Sequence, residues 1–248
     1  MMNQIKTQGE IERMRTSGGM LAAVLRHLEP HVQPGIATQE LDRLAAAELQ
    51  RLGGEPAFLG YNGFPGVLCV SINDEIVHGL PSQRRLKEGD IVGLDFGVTY
   101  EGMVTDGAVT LPVGKVSLEA ARLLTATREA LAAGIKKVRA GAHLGDVGHA
   151  IETRLRRDKL GVIEDLCGHG VGHELHEDPL VLNYGQAGTG MRLKAGMTIA
   201  IEPMAALGTH EVVLASDHWT IQTADGSLGA QFEHTVLVTE SGAEILTQ

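Results

Sequence analysis

Ile91-Val92-Gly93-Leu94-Asp95 and Thr198-Ile199-Ala200-Ile201-Glu202 are two strand-like runs that each end in a carboxylate, and the carboxylates stand 107 residues apart. Both runs have the β-branched composition of a buried strand. The same displacement recurs outward from them. Val32-Gln33-Pro34-Gly35 is answered by Val138-Arg139-Ala140-Gly141, Leu52-Gly53 by Leu160-Gly161, and Glu88-Gly89-Asp90 by Ala195-Gly196-Met197, at offsets of 106, 108 and 107. Chance coincidence of common residues is the competing explanation. A near-constant offset predicts two halves on one plan, about 9–112 and 117–248, related by a pseudo-two-fold axis within a single domain spanning 1–248. Asp95 and Glu202 then meet at the centre, where two buried carboxylates need a cation between them.

The surrounding pattern supplies the elements. Ile11, Met14, Leu21, Val24, Leu25 and Leu28 keep a helical period that stops before Pro30. Thr38 is expected to cap a second helix whose apolar face is Leu41, Leu44, Ala45, Leu49 and Leu52, closing at Gly53-Gly54. Strands are expected over 67–72, 76–77, 90–96 and 103–109. After Pro112 the order returns: Ser117 is positioned to cap a helix carrying Leu124, Leu131, Ile135 and Val138, and the next helix uses Leu144, Val147, Ile151 and Leu155. The class expected is α/β (α+β), antiparallel sheet covered by helices.

Composition narrows the function. With 248 residues, 43% of them hydrophobic, the chain can bury a sizeable core. A net charge of −10 argues against direct, sequence-specific nucleic-acid binding, which relies on many Lys and Arg at phosphates. The longest apolar runs, 66–72 and 197–201, fall far short of the roughly 20 residues that span a bilayer. The N-terminus moves into a charged, helical pattern without the apolar core of a secretory signal, so a cytoplasmic protein is expected. Cys69 and Cys167 read as free thiols, in keeping with a reducing compartment.

Five residues have the chemistry of metal ligands: Asp95 before Phe96-Gly97, Asp106 in Thr105-Asp106-Gly107, His169 in Gly168-His169-Gly170, Glu202 before Pro203, and Glu233 in Phe232-Glu233-His234. Each lies in or beside an apolar, Gly-bounded segment where an unpaired charge is costly. Any one alone reads as a turn or surface acid; five together reverse that reading. A helical zinc site built from His169, His173 and His176 is disfavoured by glycines at 168, 170 and 172. His173 is therefore expected behind the site or facing solvent.

These segments resemble the type I methionine aminopeptidases over essentially the whole chain. The stretches that carry the resemblance are Tyr61-Asn62-Gly63-Phe64-Pro65, Asn73-Asp74-Glu75-Ile76-Val77-His78-Gly79-Leu80-Pro81, Asp95-Phe96-Gly97, Thr105-Asp106-Gly107-Ala108, Gly168-His169-Gly170-Val171-Gly172, Ile201-Glu202-Pro203-Met204 and Gln231-Phe232-Glu233-His234-Thr235. The resemblance implies the pita-bread fold and two divalent ions, with cobalt, manganese, iron and zinc all compatible with an oxygen-rich site holding one imidazole. It implies that Asp106 and Glu233 bridge the ions, that Asp95 completes one site, and that His169 with Glu202 completes the other. A metal-bridged water would attack the scissile carbonyl and Glu202 would move the proton. His78 and His176 would be non-ligand catalytic histidines touching substrate. Phe58, Tyr61, Phe64, Cys69 and Trp219 would line a methionine pocket, with Leu175 where an aromatic wall is expected and Gly229 where relatives commonly carry serine. The implied partners are nascent polypeptide N-termini at the ribosome, met by a monomer. A proline-peptide hydrolase of the same fold and a non-catalytic peptide-binding module are the competing readings.

Overall fold

The computed structural model describes residues 5–248; the part of the N-terminal reading that rests on residues 1–4 lies outside them. The first helix, α1 (Gln8–Leu28), begins with a capping box: the Thr7 hydroxyl accepts from the Glu10 amide while the Glu10 carboxylate accepts from the Thr7 amide. Its buried stripe includes Ile11, Met14, Leu21, Val24 and Leu28. The helix ends in a short 3-10 turn containing Pro30. The second helix, α2 (Thr38–Leu52), is capped by Ala37, and no side chain caps it, contrary to the expectation for Thr38. Thr38 is inside the first turn because its hydroxyl is committed elsewhere, donating to the Ser82 carbonyl and accepting from the Ser82 amide. Gly53 then ends the helix in the left-handed conformation, φ 83°.

Strand Ile91–Tyr100 is the middle of the first sheet, with Leu68–Ile72 on one side and Met103–Pro112 on the other, all antiparallel. Both long strands outrun their sequence signal. Glu101 and Gly102, with φ of 46° and 76°, make a two-residue turn that lets the ladder continue unbroken from Tyr100↔Met103 to Ile91↔Pro112.

The second half repeats this order. Ser117 caps α3 (Leu118–Ile135) through a bond from the Ala120 amide, as its position suggests, while Val138 lies beyond the helix end and joins the same core cluster from the following turn. After α4 (Leu144–Arg157), strands Gly168–Gly170, Thr198–Ile201 and His234–Val238 are arranged with the middle one central, as in the first sheet. Their ladders are antiparallel as well.

The halves join along a seam between Met103–Pro112 and residues 231–235. Ala108 and Glu233 exchange both backbone bonds, at 3.3 and 2.9 Å. On one side of that pair the Thr235 hydroxyl accepts from the Asp106 amide and donates to the Asp106 carbonyl, at 2.9 and 2.8 Å. On the other, the Thr110 hydroxyl does the same for Gln231, at 3.1 and 2.6 Å. Seam counterparts Thr110 and Thr235 are 125 residues apart, against 107 for Asp95 and Glu202. The difference of 18 is an insertion in the second half, which includes the hairpin Val212–Leu214 and Ile221–Thr223. That hairpin pairs back onto Glu75–Val77 of the first half and carries Trp219 at its turn. Among the described residues no helix is long and apolar enough to cross a membrane, and Cys69 and Cys167 are free thiols.

Candidate metal centre and substrate cleft

The ladders dictate where the carboxylates go. Asp106 faces Gly97, and Gly97 points to the same side as Asp95, so the two aspartates are diagonal neighbours on one face of the first sheet. In the second sheet Ile201 pairs with His234, which leaves Glu202 and Glu233 facing each other one step beyond the ladder. His169 enters from the neighbouring strand. A Cβ at Gly168 would lie 2.2 Å from the Ala200 carbonyl oxygen, so only glycine permits that strand to approach so closely.

The sheets bring these groups together. Ligand atoms of Asp106, His169 and Glu233 all lie within 4.8 Å of one another. His169 Nε2 stands 3.8 Å from Asp106 Oδ2 and 3.6 Å from Glu202 Oε1. Its Nδ1 lies 2.9 Å from the Gly170 carbonyl, an acceptor, which places the proton on Nδ1 and turns the Nε2 lone pair toward the acids. Asp95, Asp106, His169 and Glu233 are 8, 4, 5 and 2% exposed, and the Glu202 side chain 12%.

So much buried carboxylate is costly without a cation. Burial pushes Asp95 up to about 7. It drives Asp106, Glu202 and Glu233 well above the usual carboxylate range, and each of these three is raised further by its acidic neighbours. Burial first, and then the nearby His176, hold the His169 imidazole down to about 3. Among the described residues, Asp95 Oδ1 and Glu233 Oε1 are buried without a hydrogen-bond partner. Orphaned carboxylate oxygens facing a neutral imidazole lone pair are a donor set that fits a divalent cation.

Three supporting residues escape a reading that looks only for ligands. Gln231 donates to Glu202 Oε2 at 3.2 Å, Asn183 to the Glu202 carbonyl at 3.0 Å, and Thr235 grips the Asp106 backbone. Gln231 and Thr235 share the alternation of Glu233, and that period of two was the available signal. Asn183 is distant in sequence and gave none.

His78 adopts a left-handed backbone, φ 60°, uncommon for a residue with a side chain. The next residue holds it there: the Gly79 carbonyl accepts from Val70, its amide donates to the Ser71 hydroxyl, and a Cβ on it would meet the Val70 oxygen at 2.2 Å. His176 stacks obliquely on His169, ring centres 4.3 Å apart, and its Nδ1 lies 2.8 Å from the Tyr61 hydroxyl. His173 is not part of this cluster; it is exposed, with Nε2 bonded to Glu10 at 2.8 Å.

Every residue singled out as ligand, catalytic group or pocket wall lines one cleft of about 530 Å³. Its apolar end is walled by Phe64, which meets Trp219 edge-on at 5.2 Å and Phe58 at 6.5 Å, with Cys69 and Leu175 buried beside them. Tyr61 stands more exposed than these walls, at 39%. Asp217 sets Trp219 by accepting from its amide and from that of Thr220. At Gly229 the space of a side chain is taken by Ile76, whose Cδ1 would lie 2.1 Å from a Cβ there.

The two largest antiparallel sheets, one from each half, joined about a pseudo-two-fold seam, with acids and an imidazole converging on one cleft, define the pita-bread class of metal-dependent hydrolase. The chain belongs to metallopeptidase family M24, whose model matches residues 12–240. It is 44% identical to methionine aminopeptidase 1 of Bacillus subtilis over 98% of each chain. The crystal structure of a methionine aminopeptidase from Thermotoga maritima superposes with a TM-score of 0.98, at 46% identity, covering 100% of both chains. A prolidase from Pyrococcus furiosus shares the fold at a TM-score of 0.80 and 24% identity, with 99% of this chain covered and 66% of the prolidase.

Proposed function

We propose that this protein is a methionine aminopeptidase, a metal-dependent exopeptidase that releases the N-terminal methionine of nascent polypeptides, preferring a small second residue, in the cytoplasm. The observation that carries the reading is the pair of orphaned oxygens, on Asp95 and Glu233, on the wall of an apolar cleft. In this reading Asp95, Asp106, His169, Glu202 and Glu233 would hold two divalent ions, with Asp106 and Glu233 serving both, Asp95 one of them, and His169 with Glu202 the other. Bound there, the ions would lower the pKa of a shared water and polarise the scissile carbonyl.

The chain's own residues do the rest. Glu202, its Oε2 held by Gln231, takes the proton of the attacking water and returns it to the leaving amine. His176, oriented through Tyr61, and His78, fixed by its strained backbone, touch the substrate near the scissile carbonyl and stabilise charge that develops on its oxygen. Phe58, Phe64, Cys69 and Trp219 offer polarisable walls suited to an unbranched thioether, with Tyr61 at the mouth. Branched or charged first residues would clash or bury an unpaired group.

The test is to strip the protein with a chelator, reload it separately with cobalt, manganese, iron or zinc, and follow peptide cleavage. Met-Gly, Met-Ala and Met-Ser peptides should be cut by reloaded protein alone, with Met-Leu and Met-Lys nearly intact. Full activity without metal sinks the mechanism. Preference for proline at the second position, without preference for methionine at the first, moves the assignment to the proline peptidases.

A further inference from the structure

His176 and the wall residue Leu175 lie between strands Gly168–Gly170 and Glu177–Val181, on a bend that no regular ladder holds in place. Its anchor is Glu177. Glu177 Oε1 accepts from the amides of His173 and Glu174, at 2.6 and 3.2 Å, and Oε2 accepts from Lys6 Nζ at 2.7 Å. The side chains of this ion pair are 6% and 0% exposed. A buried carboxylate with one oxygen on two backbone amides and the other on an ammonium has a single geometry.

The lysine comes from the opposite end of the chain. It threads past Gly172, where a Cβ would lie 2.3 Å from Lys6 Cε, and its own amide donates to the Gly196 carbonyl at 2.8 Å. One turn later Glu10 uses its two oxygens for two tasks. Oε2 closes the Thr7 cap, and Oε1 takes His173 Nε2 at 2.8 Å. The start of α1 therefore grips the bend at 173 and at 177, on both sides of Leu175 and His176.

We propose that Lys6 is a positioning residue for the cleft: acting through Glu177, and with Glu10 holding His173, the segment before α1 sets where His176 and Leu175 stand. This rests on the role given to His176 above. A buried ion pair adds little net stability compared with apolar groups of similar volume, but removing one partner strands a charge. The value of this pair is its geometry, and that separates positioning from packing experimentally.

Two variants are compared with the unaltered protein, Lys6→Met and the double Lys6→Met/Glu177→Gln, which removes both charges of the pair and keeps a side-chain oxygen for the His173 and Glu174 amides. Amide hydrogen exchange at His173 and Glu174 is measured without metal or substrate. Then kcat and KM for a Met-Gly peptide are measured on metal-loaded protein. In both variants exchange at the two amides should quicken by at least about ten-fold as the local opening becomes cheaper. Turnover should fall roughly 10- to 100-fold, the scale of an ångström-level misplacement, with KM within about three-fold. The double variant should melt close to the unaltered protein, and it decides the matter alone if Lys6→Met does not fold. Unchanged exchange and kcat in the double variant would overturn the proposal. His176→Ala, run in parallel, distinguishes the two failures: normal turnover there removes the role of His176, while the exchange data still decide whether Lys6 holds the bend.

Discussion

Thr110 and Thr235 make the same two bonds on opposite sides of the seam, each hydroxyl accepting from an amide and donating to a carbonyl of the facing strand. What they hold differs. Thr235 fixes Asp106, a candidate ligand, whereas Thr110 fixes Gln231, which only supports Glu202. The asymmetry extends through the centre, because the first half contributes aspartates and the second contributes glutamates and the imidazole. Duplicated backbone geometry thus does not dictate duplicated chemistry: the seam supplies equivalent positions, and side-chain identity decides which coordinates and which supports.

The comparison is sharpened most by Asp106, the acid proposed to bridge. Asp106→Asn should lose both metal occupancy and turnover, and by more than the roughly 100- to 1000-fold expected from losing one oxyanion donor. Asp95→Asn should lose less, since in the proposed arrangement only one ion would depend on it. Metal analysis and peptide kinetics on both variants check this, and equal losses would show that Asp106 does not bridge. Next come the non-ligand histidines. His78→Ala and His176→Ala should keep metal while kcat falls roughly 100- to 1000-fold; an emptied site in either would reassign that histidine as a ligand.

The threonines test the seam itself. Thr235→Val and Thr110→Val keep the shape and each strand one backbone amide and one carbonyl, at about 1–3 kcal/mol apiece in denaturant titrations. Only Thr235→Val should weaken metal binding, by about 10- to 100-fold. Equal metal affinities would mean the two halves are interchangeable after all.

The smallest effect is on pH dependence. Carboxylates whose folded pKa lies above the unfolded value stabilise the metal-free fold fully below the unfolded pKa, and lose that contribution as pH rises through the folded one. For Asp95, raised to about 7, that loss begins above the ordinary carboxylate range and is complete near neutrality, and for its three higher neighbours it continues above neutrality. His78, His169 and His176 are lowered from 6.5 and so cost stability as pH falls below that value. From about pH 7.5 to 8.5 the imidazoles are neutral in both states and the raised carboxylates dominate. Metal-free Tm should decline over that range, and metal uptake at pH 7 should release protons measurable by calorimetry in different buffers. A flat Tm with no proton release would show that the acids are already ionised.

Much of this was legible in the chain. Helix periods, the Ser117 cap and the Gly53 stop are local, and so is the alternation that aims Gln231, Glu233 and Thr235 one way. The 107-residue offset brought Asp95 and Glu202 to one centre in advance. Where local logic failed, a remote group had intervened: Thr38 is drawn from its capping role by Ser82.

Residue type and spacing by themselves determined the two-half plan and named the four acids and the His169 imidazole of the cleft, because strand period and the cost of burying charge are properties of short segments; His78 and His176 came with the family resemblance. Tertiary structure alone decided that Thr110 and Thr235 lock the halves together, that an insertion of 18 residues brings Trp219 back over Phe64, and that Lys6 supports the bend bearing His176. Those contacts join residues more than 100 positions apart in the chain. No local pattern encodes such a pairing, since each partner taken alone is an ordinary polar or aromatic side chain, and its role exists only once the sheets and helices have set the distance between them.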